Sequence, residues 1–346
     1  MTDVLISGAS VAGPALAWFL RRAGARVTVV ERAPGPRDSG YAVDFRGPAL
    51  DVLAEIGILD EVRSHETRMR GVTMLAPDGS VTGELPASTF AGDLEVPKRA
   101  LTRILHRVVD AEFLFDDTVT ALEQHDDRVT VAFESAPTRD FDLVFGADGV
   151  HSAVRRLAFP GTDPIEHLGM SGAGFTTGNL LALDHQGLLQ PAPGRAVYAF
   201  SADDPAAMTV SLSFATATAE LDRADRAAQE AAVRAAFADH PWPQTPRLLA
   251  AMTAASDFYF ASTCQVHLDS WSTGRVALLG DAGYCAAPTS GMGTSQALVA
   301  AATLARCLAE AGSDHAAAFT RYEKELRPYV TDNQHLGRQA VSTFGG

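Results

Sequence analysis

Residues 4–31 read VLISGASVAGPALAWFLRRAGARVTVVE, and the order of apolar runs and glycines in this stretch decides the fold. Val4-Leu5-Ile6-Ser7-Gly8 is an apolar run closed by glycine, residues 15–23 have helical character, and Arg26-Val27-Thr28-Val29-Val30-Glu31 is a second β-type run. Strand, helix and strand within about 30 residues make one βαβ unit, the building piece of an α/β protein with a parallel sheet. The uncharged length from Val4 to Leu20 resembles a signal-peptide core, but Asp3 stands where such a core needs positive charge. Gly8, Gly13 and Pro14 interrupt it as a strand-turn-helix junction does. Residues 297–305 are apolar too, yet Arg306 ends them short of the roughly 20 residues of a membrane span, so no membrane partner is expected.

The whole chain agrees with that reading. Its 346 residues, 47% apolar and 20% charged, are enough for two globular units with large cores. Cys264, Cys285 and Cys307 are odd in number and lack CxxC spacing, so a reducing, cytoplasmic setting is expected. A formal charge of −14 argues against a nucleic-acid surface, which needs clustered Lys and Arg. Anionic ligands must then be held locally, by backbone N–H groups and single arginines.

Further along, helical spacing over 49–56 ends at Gly57, and residues 71–85 form a hairpin around Pro77-Asp78-Gly79. A helix over 99–109 and one strand over 140–147 return to the α/β pattern. Between 172 and 260 come β-type runs, including 197–200 and 208–214, and an Ala-rich helix near 227–238. Residues 274–281 form a buried strand ending in Gly280-Asp281, before a Gly-rich turn and a helix from about Thr294. The expected organisation is two interleaved units, with residues 1–70, 98–168 and 265–346 in one and residues 71–97 and 169–264 in the other.

Gly8-Ala9-Ser10-Val11-Ala12-Gly13 lies where a dinucleotide fold sets a pyrophosphate against helix N–H groups, although Ser10 occupies the place of the middle glycine. Glu31, ending the second strand, is placed for a ribose diol. The same letters nearly spell a hydrolase nucleophile elbow, but the histidines, among them His240 and His267, carry no triad signature. The bland readings are a surface carboxylate for Glu31, helix-start and surface charges for Arg99 and Arg46, and turn caps for Asp148 and Asp281.

Gly146-Ala147-Asp148-Gly149-Val150-His151-Ser152-Ala153-Val154-Arg155 joins a strand, an acidic turn and a helix with an early arginine. With the Gly280-Asp281 block and the N-terminal loop, it makes nearly the whole chain resemble the class A flavoprotein monooxygenases of the para-hydroxybenzoate hydroxylase type. The resemblance implies a Rossmann-like, glutathione-reductase-type FAD domain interleaved with a β-sheet substrate domain. It places Gly8, Ser10, Ala12, Gly13, Glu31 and Arg32 at the ADP moiety, Arg99 on FAD, and Asp148 in a motif associated with binding of FAD and the nicotinamide nucleotide. Gly280 and Asp281 fall at the ribityl chain. Pro288, Gly291, Gly293 and Thr294 approach the flavin ring, where a helix N-terminus stabilises the anionic reduced flavin. Arg46, in Phe45-Arg46-Gly47, falls near flavin and nicotinamide. The chain departs from the family text at Ser10, Gly283-Tyr284, Ser295 and Ala300.

The implied reaction is reduction of FAD by NADPH or NADH, addition of O2 at flavin C4a, and hydroxyl transfer from the hydroperoxide to an aromatic or polycyclic, polyketide-type substrate. No metal is implied, and no side chain is assigned to the chemical step. Phe175, Phe200, Met208 and Phe214 are candidate substrate walls, although their alternation is also that of a packed sheet face. A halogenase or reductase on the same fold, or flavin binding without turnover, is the alternative; a monomer and a homodimer both fit.

Overall fold

The computed structural model describes residues 1–36, 41–87, 92–202 and 204–344. The chain runs β1 (Asp3–Ser7), α1 (Ala12–Arg22), β2 (Arg26–Glu31), β3 (Ala42–Phe45), α2 (Pro48–Ile56), α3 (Leu59–Ser64), β4 (Gly71–Leu75), β5 (Val81–Pro86), β6 (Leu94–Pro97) and α4 (Lys98–Val108). Next come β7 (Glu112–Phe115), β8 (Val119–Gln124), β9 (Val129–Phe133), β10 (Arg139–Phe141), β11 (Leu143–Gly146) and α5 (Ala153–Ala158). β12 (Ile165–Gly178), β13 (Gln186–Ala192), β14 (Arg195–Ser201) and β15 (Ala207–Ala215) precede α6 (Arg226–Ala236), α7 (Thr245–Ala254) and β16 (Tyr259–Val266). β17 (Ser272–Thr273), β18 (Val276–Leu278), α8 (Asp281–Tyr284), α9 (Gly293–Ala311) and α10 (His315–Phe344) complete it.

One sheet has the order β17-β18-β11-β1-β2-β7, parallel except at β17. Its strands read as unbroken apolar runs because both faces are covered. Val4, Ile6, Val27 and Val29 pack in the core that holds α1 and α9, while Leu5, Val30, Val144 and Val276 face the small sheet β10-β9-β8.

The other large sheet, β16-β12-β15-β14-β13-β4-β5, shows the alternation of a sheet with two unlike faces. Val197, Ala199, Val210, Leu212 and Phe214 pack against Val233, Phe237, Leu248 and Met252 of α6 and α7. The intervening positions, among them Tyr198, Phe200, Thr209 and Ser211, fall on the opposite face. A two-stranded ribbon, β3 with β6, accompanies it.

Two features differ from the sequence reading. The single strand expected over 140–147 is two strands in different sheets: β10 pairs antiparallel with β9, and β11 lies parallel to β1. The chain changes sheets at Asp142, whose carboxylate and N–H are held by the Asp3 N–H (2.7 Å) and the Asp3 carbonyl (2.8 Å). The reading also passed over α10, which continues through Pro328. Proline removes a helix hydrogen bond, but Ala318, Phe319, Tyr322, Leu326 and Val330 bury the helix's inner face in the main core.

Cys264, Cys285 and Cys307 are buried and unpaired. Among the described residues no helix is long and apolar enough to cross a membrane.

Candidate active site

β18, β11 and β1 are adjacent and parallel, so the turns after them emerge side by side, which is where open α/β sheets take their ligands. The turn after β1 requires its glycines. Gly8 has φ +110°, and a Cβ on it would lie 2.3 Å from the Ala147 carbonyl oxygen. A Cβ on Gly13 would lie 1.9 Å from the Gly8 oxygen. Ala12 touches the turn after β18, its Cβ 3.4 Å from where Gly280 would carry one. No side chain caps the N-terminus of α1, which leaves its first N–H groups toward Ser10 and this edge.

Glu31, at the end of β2, accepts the N–H groups of Ala9 and Ala33, both at 2.9 Å, and so joins the loop after β1 to the next strand. Arg32 is exposed. His106 Nε2, 2.6 Å from the Ala9 carbonyl oxygen, holds the loop's other side.

Asp148, in the turn after β11, is committed to neighbouring groups. Its carboxylate accepts the N–H of Ala153 (2.8 Å) and Val154 (3.2 Å) and the hydroxyls of Ser7 and Ser152. It fixes the start of α5 against β1. The early arginine quoted from this block, Arg155, received no role in the sequence reading. It is buried, and its guanidinium donates to the carbonyl oxygens of Ala282 (2.7 Å) and Val150. The turns after β11 and β18 are thereby tied together.

Asp281 opens α8. Protein atoms crowd its carboxyl while part of its surface stays open, and this burial pushes its pKa up against the opposing charge of Lys98. Tyr284, one of the departures from the family text, points away from the edge into the core, where its hydroxyl meets that of Tyr322 and its ring lies 4.2 Å from Trp271.

A short turn, Pro288–Ser290, leads through Gly291 (φ +64°) to α9, which also has no side-chain cap at its N-terminus. Gly293 and Thr294 form the first turn of α9. Ser295, another departure, accepts the Arg46 N–H (3.1 Å) and donates to the Asp44 carbonyl (3.2 Å), so it fastens β3 to α9. Gly291 also borders β3: a Cβ there would be 3.4 Å from Asp44 Oδ2.

Between the ribbon and the open face of the second sheet is a cleft lined by Ala42, Thr67, Arg99, Thr176, Phe200 and Thr209, among others. The Thr176 hydroxyl is buried and has no hydrogen-bond partner among the described residues. Of the four candidate walls, Phe200 lines this cleft, Phe175 and Phe214 lie in the core under α6 and α7, and Met208 borders the cleft while packing in that same core.

Asp44 and Glu95, absent from the sequence reading, stand directly opposite each other on β3 and β6. Burial first, then the Glu95 charge, pushes Asp44 up to about 7, against the pull of Arg46 at 3.5 Å. Burial raises Glu95 too, opposed by a 2.6 Å hydrogen bond from the Thr67 hydroxyl. The alternation of β3 carried a signal for Asp44, an acid in an otherwise apolar strand.

Three turns joined at one sheet edge, two helix N-termini without side-chain caps and a crowded, partly open carboxyl fit a dinucleotide flavin: the N–H groups suit its phosphates and ring, the carboxyls its hydroxyls. A family model described as FAD binding domain matches residues 1–336, and the chain belongs to this family of FAD-dependent monooxygenases. It is 41% identical over 345 residues to an uncharacterized protein of Mycobacterium tuberculosis, covering 97% of this chain and 92% of the relative. A flavin-dependent monooxygenase of Legionella longbeachae is 35% identical, with 99% and 89% covered. The crystal structure of tetracycline destructase Tet(55) superposes with a TM-score of 0.91 at 38% identity, covering 99% of this chain and 90% of that one.

Proposed function

We propose that this FAD-dependent monooxygenase hydroxylates an electron-rich aromatic or polycyclic, polyketide-type molecule, with NADPH or NADH as electron donor and O2 as oxidant. The carrying observation is the cleft: Phe200 supplies an aromatic wall, Thr176 and Thr209 supply hydroxyls, and the Pro288–Ser290 turn adjoins the ribbon that forms its other side. The likeness to a tetracycline destructase supports a polycyclic substrate bearing phenolic or enolic hydroxyls.

Bound FAD would supply the storage of electrons from the nicotinamide and the activation of O2. The chain's own residues bind and orient. Residues 8–13 and the α1 N-terminus hold the pyrophosphate, Glu31 the ribose, and Asp281 the ribityl hydroxyls. The α9 N-terminus would face the ring, where its partial positive charge would favour the anionic reduced form. Arg46 and Arg99 are the cations offered to phosphate or flavin oxygens, and Asp148 acts by holding the turn that Arg155 couples to Ala282, the neighbour of Asp281. In this reading residues 1–70, 98–168 and 265–346 carry the cofactor and residues 71–97 and 169–264 carry the substrate.

The test is an absorption spectrum of the purified protein after reconstitution with FAD, followed by NADPH or NADH oxidation under air with and without tetracycline and simple phenols. Substrate-stimulated oxidation with one oxygen atom added to the product is expected. A protein that cannot retain FAD sinks the reading, and a product whose mass depends on chloride replaces it with halogenation.

A further inference from the structure

The inner face of the β3–β6 ribbon carries Ala42, Asp44, Glu95 and Pro97, because antiparallel partners and alternate residues share a face. Ala42 and Pro97 line the cleft, so the two carboxyls lie one pair further along the same surface. Thr67 connects them to it. Thr67 is a buried residue at the cleft's wall; its N–H donates to the Glu95 carbonyl (2.9 Å), and its hydroxyl donates to Glu95 Oε2 (2.6 Å). His185 Nδ1, 2.9 Å from the Thr67 carbonyl oxygen, fixes the backbone from the other side.

From the opposite sheet Tyr198 faces the pair, its ring stacked 5.5 Å from the cleft residue Phe200 and its ionisation suppressed by burial, Glu95 and Asp44 in that order. The titratable and charged groups around the pair are therefore Arg46 beyond β3, the neutral Tyr198 on β14, and Arg99 at the cleft, just after β6.

We propose that Thr67, Glu95 and Asp44 form a proton relay that accepts the proton of an ionisable substrate hydroxyl held in the cleft. This rests on the reading of a phenolic or enolic substrate. The substrate O–H bond breaks and its proton passes to Thr67 Oγ1 as the proton already on Thr67 passes to Glu95 Oε2. The substrate is left as an oxyanion, whose ring is richer in electrons for attack by an electrophilic oxygen, and the carboxyl pair has gained one proton. Two facing carboxylates resist joint ionisation, so the pair retains the proton it has gained. Only the fully ionised pair accepts, and acceptance therefore grows as pH rises through about 7, where Asp44 titrates.

The test uses the FAD-loaded enzyme, its E95Q, T67V and T67S variants, and tetracycline as probe. First, flavin absorbance is followed from about pH 5 to about pH 9 without substrate. One transition near neutrality is expected, moved down by about one pH unit in E95Q, where Asp44 no longer faces a charge. No transition, or one unchanged in E95Q, overturns the carboxyl pair.

Second, the absorption of bound tetracycline reports its ionisation, and NADPH oxidation reports turnover. T67V and E95Q are expected to bind the probe in its protonated form at pH 7 and to lose kcat about a hundredfold with KM little changed, while T67S keeps both readouts. Equal ionisation in T67V and wild type overturns the relay. If wild type binds no tetracycline and oxidises no NADPH with it, the substrate reading and the relay fall together, and the carboxyl pair is decided by the flavin titration.

Discussion

The carboxyl edge of the parallel sheet and the open face of the second sheet are built from different materials. The edge is made largely of backbone: Gly8 and Gly13, which admit no Cβ, helix N–H groups whose N-cap residues offer no side-chain hydrogen bond, and turns joined by Glu31, Asp148 and Arg155. The cleft face is made of side chains, among them Phe200, Thr176, Thr209 and Thr67, standing on an ordinary pleated sheet. A backbone site tolerates almost no change in its glycines, whereas a side-chain site can be rewritten without disturbing the sheet beneath it.

The sharpest way to break this contrast is Gly13→Val. Its Cβ has no room beside the Gly8 carbonyl, so FAD affinity should fall about a hundredfold or more, with a lower melting temperature. A variant that still purifies with FAD and melts normally would erase the distinction. Asp281→Ala should weaken FAD about tenfold to a hundredfold through lost hydrogen bonds to a charged acceptor, with far-UV circular dichroism unchanged. FAD affinity equal to wild type in a calorimetric titration removes Asp281 from the ribityl site.

Glu31→Ala should cost about fivefold in FAD affinity and also lower thermal stability without cofactor, because the carboxylate holds the Ala9 and Ala33 N–H groups. Loss of affinity with no change in apoprotein melting would leave it a ligand contact alone. Smallest of all, Phe200→Ala should raise KM for an aromatic substrate about threefold to tenfold and leave the FAD dissociation constant where it was. A change in FAD binding instead would show the cleft and the edge to be one site.

Legibility in the sequence follows the same division. The glycine-closed runs at Gly8, Gly146 and Gly280 could be read because Gly8 and Gly280 take positive φ and a Cβ on Gly146 would collide with Leu278 and Val154. The sheet change at Asp142 was hidden, since 140–147 is apolar enough for one strand, and the partners that split it, Asp3 and β9, lie far away in sequence. α10 was passed over, and its course through Pro328 shows a local helix-breaking signal overruled by burial of the helix's inner face. Phe175 and Phe200 are both aromatic residues in β-type runs, and only the register shows that one lies in the core and the other on the cleft. Asp44 and Glu95 are 51 positions apart, so their pairing needed the ribbon.

Val144 of β11 lies beside Val276 of β18, and Arg155 reaches a carbonyl 127 positions ahead of it. During synthesis, therefore, the first βαβ unit leaves the ribosome long before the strand that completes its sheet. Until β18 arrives, β11 is an open edge with no partner on that side, a template for wrong pairing. Closing so distant a contact is slow. FAD supply during expression should then govern the yield of native protein late, at release of about the last fifth of the chain, and a nascent chain halted before Val276 is the species most in need of a chaperone.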